Sequence, residues 1–191
     1  RKNKSWFNII TINEILEGIR MANKKVKFKK MRPSAKMPVK KEGNWYDCYV
    51  NKISKVSGYT LERTTFNANV FDHIEETSYT TVQYKKGDVL ICSLGFAMEL
   101  GTGYEAHAIS RSSTFAKKGL ILTNSVGLID SSYCGDEDEW IAVFYATRPG
   151  SIKVHDRLVQ MTIQKSNPNV DFEEVDTLGN KNRGGYGSTG Q

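Results

Sequence analysis

Histidine, cysteine and proline are scarce in this chain, with three His, three Cys and four Pro among 191 residues. His73, His107 and His155 are scattered and form no pair at ligand spacing, which argues against a catalytic zinc and against a Cys–His nucleophile. Cys48, Cys92 and Cys134 are odd in number, widely spaced and never in C-x-x-C form. A disulfide framework or a structural zinc is thereby disfavoured, and a reducing cytoplasm is the simpler setting. No apolar run approaches the ~20 residues of a membrane span. Arg1 to Lys4 are basic, but the apolar stretch after them is short, is broken by Asn8, Asn13 and Glu14, and has no small-residue cleavage site, so no secretory signal is read. Acids are missing from Lys24 to Lys41, a stretch with nine Lys or Arg.

What is present points to strands. Apolar residues make up 39% of the chain, enough for a real core. Beta-branched and aromatic residues come in short runs, and only residues 5–20 keep a weak helical period, so an all-β domain is expected. Residues 1–20 differ in style from the rest and read as a tag, a read-through or an extra arm, with the domain expected over 21–179. The net charge of +6 suits an anionic ligand such as a nucleotide, without marking a specific nucleic-acid surface. Lys24–Lys41 could serve as an electrostatic lure for phosphates, but the alternation VKFKKM favours a half-buried edge strand whose outward lysines discourage aggregation.

Further strands are expected at 45–50, 89–94, 96–100, 104–110, 120–123, 140–146 and 157–164, with Gly-containing turns at 101–103, 117–119 and 148–150. Residues 51–84 are polar and irregular, with strand-like pieces at 59–61, 70–74 and 79–84. They read as a surface insertion carrying its own hairpin. From Asn180 the chain turns to Gly, Ser and Asn, a flexible arm over 180–191.

Several segments carry chemistry. Arg111 beside Ser110, Ser112, Ser113 and Thr114 offers a charged fork with adjustable hydroxyl donors, suited to phosphate oxygens. These residues end a strand and enter a Lys- and Gly-containing loop. In 124–135, NSVGLIDSSYCG, an apolar strand lies between Asn124 and Asp130, followed by Tyr133. Asp130 could serve as general base for a water, although an Asp opening a turn is the commoner arrangement. The acidic run Asp136–Glu139 reads as a solvated loop rather than a metal site. Asp156 and Arg157 form a neighbour pair of structural type. The terminal RGGYGSTGQ combines glycines that let a backbone close over phosphates with an aromatic ring that can lie on a base.

In this order the segments resemble the five motifs of the trimeric dUTPase family: GNWYDCYV (43–50), SRSSTFAKKG (110–119), NSVGLIDSSYCG (124–135), HDRLVQMTI (155–163) and RGGYGSTG (183–190). MELGTGYEAH before RSST, and the DEDEW stretch, resemble a Gram-positive and phage subgroup. The resemblance implies a β-clip, jelly-roll-like domain in a homotrimer with shared sites, hydrolysing dUTP with Mg²⁺. It implies Asp130 as the residue that aims water at the α-phosphorus. Tyr133 would lie under the deoxyribose, and Asn124 with Gly127, Leu128 and Ile129 at the uracil edge. Arg111, Ser112, Ser113 and Gln160 would hold phosphates. Asp47 would be structural or would support a metal-bound water, with no direct protein ligand to the ion. Arg183, Tyr186, Gly187, Ser188 and Thr189 would close over the substrate from a neighbouring subunit.

Three departures stand out. The arginine expected five positions before the tail aromatic is Lys181 here, and Arg183 sits three before Tyr186. Motif one reads Asn-Trp-Tyr-Asp-Cys rather than Ala-Gly-Tyr-Asp-Leu, and no family role is assigned to the 51–84 insertion. Two rivals remain. A dCTP deaminase of the same fold needs a glutamate on the strand after motif three, where residues 140–145 offer none and Glu139 is out of register. A phage regulatory protein would instead bind a protein partner through 51–84.

Overall fold

The computed structural model describes residues 24–57 and 80–182. Twelve strands and one short helix make up its regular structure: β1 (Lys27–Lys30), β2 (Tyr46–Cys48), β3 (Lys52–Val56), β4 (Thr81–Tyr84), β5 (Val89–Ser93), β6 (Phe96–Glu99), β7 (Tyr104–Ser110), α1 (Ser112–Lys118), β8 (Leu120–Leu122), β9 (Val126–Ile129), β10 (Ile141–Ala146), β11 (Gly150–Lys153) and β12 (Val159–Lys165). Two four-stranded sheets dominate, in the orders β3-β5-β10-β8 and β2-β12-β7-β9, with the pairs β1-β6 and β11-β4 beside them. Every pairing between these strands is antiparallel. The all-β architecture read from the sequence is the one observed.

Alternation decides which face each strand buries. Along β10, Ala142, Phe144 and Ala146 are buried while Ile141 is exposed, the period-two signature of a one-sided sheet. Phe144 meets Leu90, Leu120, Leu122, Phe96 and Trp140 in one continuous core. On the edge, Lys27, Lys29 and Lys30 of β1 face water while Phe28 packs against Phe96, ring centroids 5.2 Å apart. Cys48 and Cys92 are buried, and burial pushes the Cys48 thiol up to about 12 and that of Cys92 higher still. Cys134 is exposed.

Two expectations are corrected. The stretch 51–84 is not an insertion throughout. Its beginning is β3, which pairs along β5 and buries Ile53, and its end is β4, which pairs with β11. The Ser and Lys content disguised β3, because only Ile53 and Val56 in KISKV are apolar. The strand-like pieces at 59–61 and 70–74, residues 1–20, and 183–191 lie outside the described residues. Residues 112–118 are likewise a helix rather than a loop. Gly119 at φ 65° ends it with its N–H on the Phe115 carbonyl, and Lys117 and Lys118 sit in its last turn, favourable for the helix dipole.

One turn is tightly constrained. Gly95 joins β5 to β6 at φ 83°, and an added Cβ would lie 2.7 Å from Asn51 and 2.9 Å from the Ala35 Cβ. Gly95→Ala therefore combines a disfavoured backbone with a steric clash and should cost well over ~1 kcal/mol, read as a lowered urea midpoint at unchanged m-value.

Candidate active site

Two cavities gather the polar groups singled out from the sequence. The first, of about 300 Å³, is lined by Asn124, Gly127, Leu128, Ile129, Asp130 and Tyr133 together with Glu139 and Trp140. Its wall is the β7–β9 pair, where Gly127 lies opposite Ala108. Both side chains are small, so the strand surface stays open there. The turn before β9 is tight, with Ser125 at φ 57° and the Val126 N–H on the Asn124 carbonyl. Leu128 stands 71% exposed on this strand. Trp140 is buried, and its Nε1 has no hydrogen-bond partner among the described residues.

Asp130 leaves the end of β9. Its Oδ1 accepts from the Ser132 backbone N–H at 2.7 Å and from the Ser132 hydroxyl at 2.5 Å. The hydroxyl bond first, then the backbone bonds from Ser132 and Tyr133, hold its carboxyl below the usual carboxylate range. Asp130 thus does open a turn, and the same turn keeps it ionised in front of the cavity. Tyr133 donates its hydroxyl to the Glu139 carbonyl at 3.0 Å. Burial, and then the charges of Asp138 and Glu139, raise its phenol, so the hydroxyl stays protonated at neutral pH.

The second cavity, of about 490 Å³, is lined by Arg111, Gln160, Asp47 and Arg157 with Lys41, Asn44 and Trp45. Asp47 bridges two guanidiniums: its Oδ1 forms an ion pair with Arg111 Nε at 2.6 Å, and its Oδ2 accepts from Arg157 Nη1 at 2.8 Å. One carboxylate between two arginines leaves a net positive cradle, and the bonds fix both forks in place. The backbone sets Arg111 further. The Leu158 carbonyl accepts from the Arg111 N–H at 3.0 Å and from the buried Thr114 hydroxyl at 2.8 Å, pinning the start of α1 to the start of β12.

The remaining residues distribute unevenly. Ser112 and Ser113 open α1 and line neither cavity. Lys181 is exposed, while Arg183, Tyr186, Gly187, Ser188 and Thr189 lie outside the described residues. Arg157 was underrated in the sequence: its partner is Asp47, 110 positions away, while Asp156 is 3.1 Å from Lys118 and accepts from the Lys153 N–H. The pairing of Gln160 with Asp47 across β12 and β2 brings the two together, a register that no local pattern announces. Glu139, read as out of register, does line the first cavity, but its carboxylate is bound by Arg32 and by the Gly95 N–H. Among the described residues no three His, Cys, Asp or Glu side chains converge as a metal site.

Comparison with known proteins points to one family. A prophage-derived deoxyuridine 5'-triphosphate nucleotidohydrolase from Bacillus subtilis is 50% identical over 119 residues, 62% of this chain and 84% of that protein. The structure of a Staphylococcus bacteriophage 80alpha dUTPase with dUPNHPP superposes at a TM-score of 0.58 and 17% identity, covering 88% of this chain and 100% of that one. A mutant dUTPase from phage phi11 of S. aureus, whose structure coordinates a structural Mg(II) ion, gives 0.58 and 15%, over 81% and 98%. At such identities these two structures establish likeness of fold. The family model for dUTPase matches residues 64–190, beginning after the segment read as motif one. With two thirds of its length so matched and phage proteins among its relatives, this chain belongs to the dUTPase family.

Proposed function

We propose that this protein hydrolyses dUTP to dUMP and pyrophosphate, and that Asp130 aims the attacking water at the α-phosphorus. Support for the roles comes from the division of labour between the two cavities. The first offers small residues, a backbone edge and an aromatic ring, suited to a pyrimidine and its sugar. The second offers two held guanidiniums and an amide, suited to phosphates. Asp130 is ionised at neutral pH and is a weak base, so its contribution is orientation of the water and acceptance of a proton as the P–O bond forms.

The single observation that carries the shared-site reading is strand parity. Val159 lines the first cavity and Gln160 the second, and neighbours on a strand point to opposite faces. One nucleotide reaches both sets of groups when a second copy of the chain supplies one of them. A homotrimer with sites between subunits satisfies this. Residues 166–182 fit that arrangement, since Phe172 is 96% and Leu178 82% exposed, apolar surface that an adjoining copy would cover. Arg183, Tyr186, Gly187, Ser188 and Thr189 then follow as the segment closing over base and phosphates, Arg183 rather than Lys181 meeting the γ-phosphate.

Mg²⁺ fits as an ion carried by the nucleotide. Of the two carboxylates lining the phosphate cavity, Glu42 and Asp47, Asp47 already has both oxygens on arginines, so the triphosphate and water would supply most of the ligands and Asp47 could support a bound water. When bound, the ion would neutralise charge on the phosphates. Arg111 and Arg157 bind and orient those phosphates, Tyr133 excludes a 2′-hydroxyl, and the closed tail excludes bulk water. A cytoplasmic setting goes with this substrate. Among the described residues no helix is long and apolar enough to cross a membrane. A protein partner bound through the 51–84 stretch is a second proposal.

Four outcomes test the reading. A pyrophosphate-release assay over dUTP, dTTP, dCTP and UTP should favour dUTP, whereas ammonia release from dCTP would replace hydrolysis with deamination. Asp130→Asn should lower kcat by about 10²–10⁴-fold with dUTP binding nearly intact. Loss of the hydroxyl bond in Ser132→Ala should raise the Asp130 pKa and move the acid limb of kcat/KM to higher pH; an unmoved limb would refute Asp130 as the titrating group. Truncation after Lys181 should cut turnover about 10²-fold without dissociating the trimer, by single-turnover kinetics and light scattering.

A further inference from the structure

The loop from Asp130 to Trp140 forms the lip of the first cavity, and most of its internal bonds are short-range. Tyr133 N–H reaches the Asp130 carbonyl at 3.3 Å, Gly135 N–H the Asp138 carboxylate at 2.6 Å, and Glu139 N–H the Glu137 carbonyl at 2.7 Å. Such a loop, rich in acids and poor in apolar residues, has little of its own to hold one shape. Its anchors come from elsewhere in the chain. Trp140 donates its N–H to the Phe96 carbonyl and its own carbonyl accepts from Leu94, which ties the end of the loop to the Gly95 turn. Glu139 is tied there as well, its Oε1 accepting from the Gly95 N–H at 2.9 Å.

Arg32 completes this anchor from the N-terminal segment. Nη1 donates to Glu139 Oε1 at 2.5 Å and Nη2 to Oε2 at 2.9 Å, a bidentate fork on a side chain only 13% exposed. A carboxylate this enclosed would be left costly and poorly compensated without its cation. Asn51, whose amide donates to Ser34 Oγ at 3.1 Å, also accepts from Arg32, its Oδ1 at 3.4 Å from Nη1. The Glu139 carbonyl, in turn, is the acceptor for the Tyr133 hydroxyl at 3.0 Å. Lys29 also touches the loop, at Asp136, but both side chains there are largely exposed and hold weakly.

We propose that Arg32 is a positioning residue for sugar selection: by locking Glu139 it fixes the carbonyl that holds the Tyr133 hydroxyl, and so sets the ring that excludes a 2′-hydroxyl. The inference rests on the proposed dUTP chemistry and adds a residue to it. Excluding one oxygen atom by steric contact needs a wall that does not yield. A tyrosine standing 40% exposed on a loop lip has little packing to stiffen it, so its hydroxyl bond is the stop that keeps the ring forward. Arg32 lies about a hundred residues before Tyr133 in sequence and touches no part of the substrate in this account. Its effect is on discrimination.

The test compares kcat/KM for dUTP and UTP in the full-length protein and in Arg32→Met, Arg32→Lys and Glu139→Gln, with Lys27→Met as a surface ion-pair control. Arg32→Met should lower the dUTP/UTP ratio about tenfold, chiefly through faster UTP cleavage, with kcat for dUTP within about threefold of the parent. Arg32→Lys, a point charge that cannot fork, should fall between. Glu139→Gln keeps the side chain's shape and its bond to Gly95, should shift the ratio the same way, and carries the test should Arg32→Met fail to fold. A ratio unchanged while both substrates slow together would make Arg32 merely structural and overturn the proposal. Site-specific 3-fluorotyrosine at position 133 reads the ring without turnover. Its ¹⁹F resonance should move in Arg32→Met and stay in Lys27→Met, and an unmoved resonance would also overturn it. A moved resonance in a protein that leaves dUTP uncut would instead sink the hydrolase reading and leave the positioning intact.

Discussion

Side-chain parity along β12 is the constraint from which the rest of the site follows. Val159 turns toward the cavity of Asp130 and Tyr133, and Gln160 toward that of Arg111 and Asp47. A shift of the strand by one residue would exchange the two sets and destroy both cavities at once. The register is held from both sides, since β12 pairs with β7 over its full length and with β2 at Val159–Met161. Burial of Val159 and Met161 fixes the choice of face, so the hydrophobic core and the placement of the polar groups are settled by the same alternation. Function is in this sense a by-product of which side chains the core claims.

On the polar face, charge rather than burial supplies the order. Arg111 enters from the β7–α1 junction and Arg157 from the loop before β12, and neither element would hold a long side chain still by packing alone. Asp47 gives both a fixed acceptor on a third element, β2. A rigid pair of donors suits transfer chemistry whose catalysis is largely positioning and charge neutralisation. The same logic recurs at the other cavity in a milder form, where Ser132 holds Asp130 and Glu139 holds Tyr133.

Local chemistry made much of this legible in the sequence. The strands around 89–110 and 140–146 carry clear alternation or apolar runs between glycine turns, and they formed where the residues placed them. The segment Asn124 to Tyr133 declared itself through an unusual mix of polar ends on an apolar strand. Other features were hidden for physical reasons. β3 reads KISKV, with too few apolar residues to be separated from a polar loop, and only pairing with β5 makes it a strand. The helix at 112–118 is too short to show a period, and its αL glycine was the one local sign of it. Partnerships across great sequence distance, Asp47 with Arg157 and Arg32 with Glu139, leave no local trace at all. The basic stretch from Lys24 shows the difficulty best: Arg32 is its one arginine among eight lysines, yet nothing near it in sequence says that it lies against a mostly buried carboxylate.

The unequal burial of the three thiols has a practical side. Cys48 and Cys92 are enclosed with their protonated forms favoured, so neither presents a thiolate to solvent, whereas Cys134 stands open immediately after Tyr133. An alkylating dye added to the native protein would therefore mark one position, on the rim of the first cavity beside Tyr133. Fluorescence from that single point would report nucleotide arrival and departure in the unmutated chain, with no engineered cysteine.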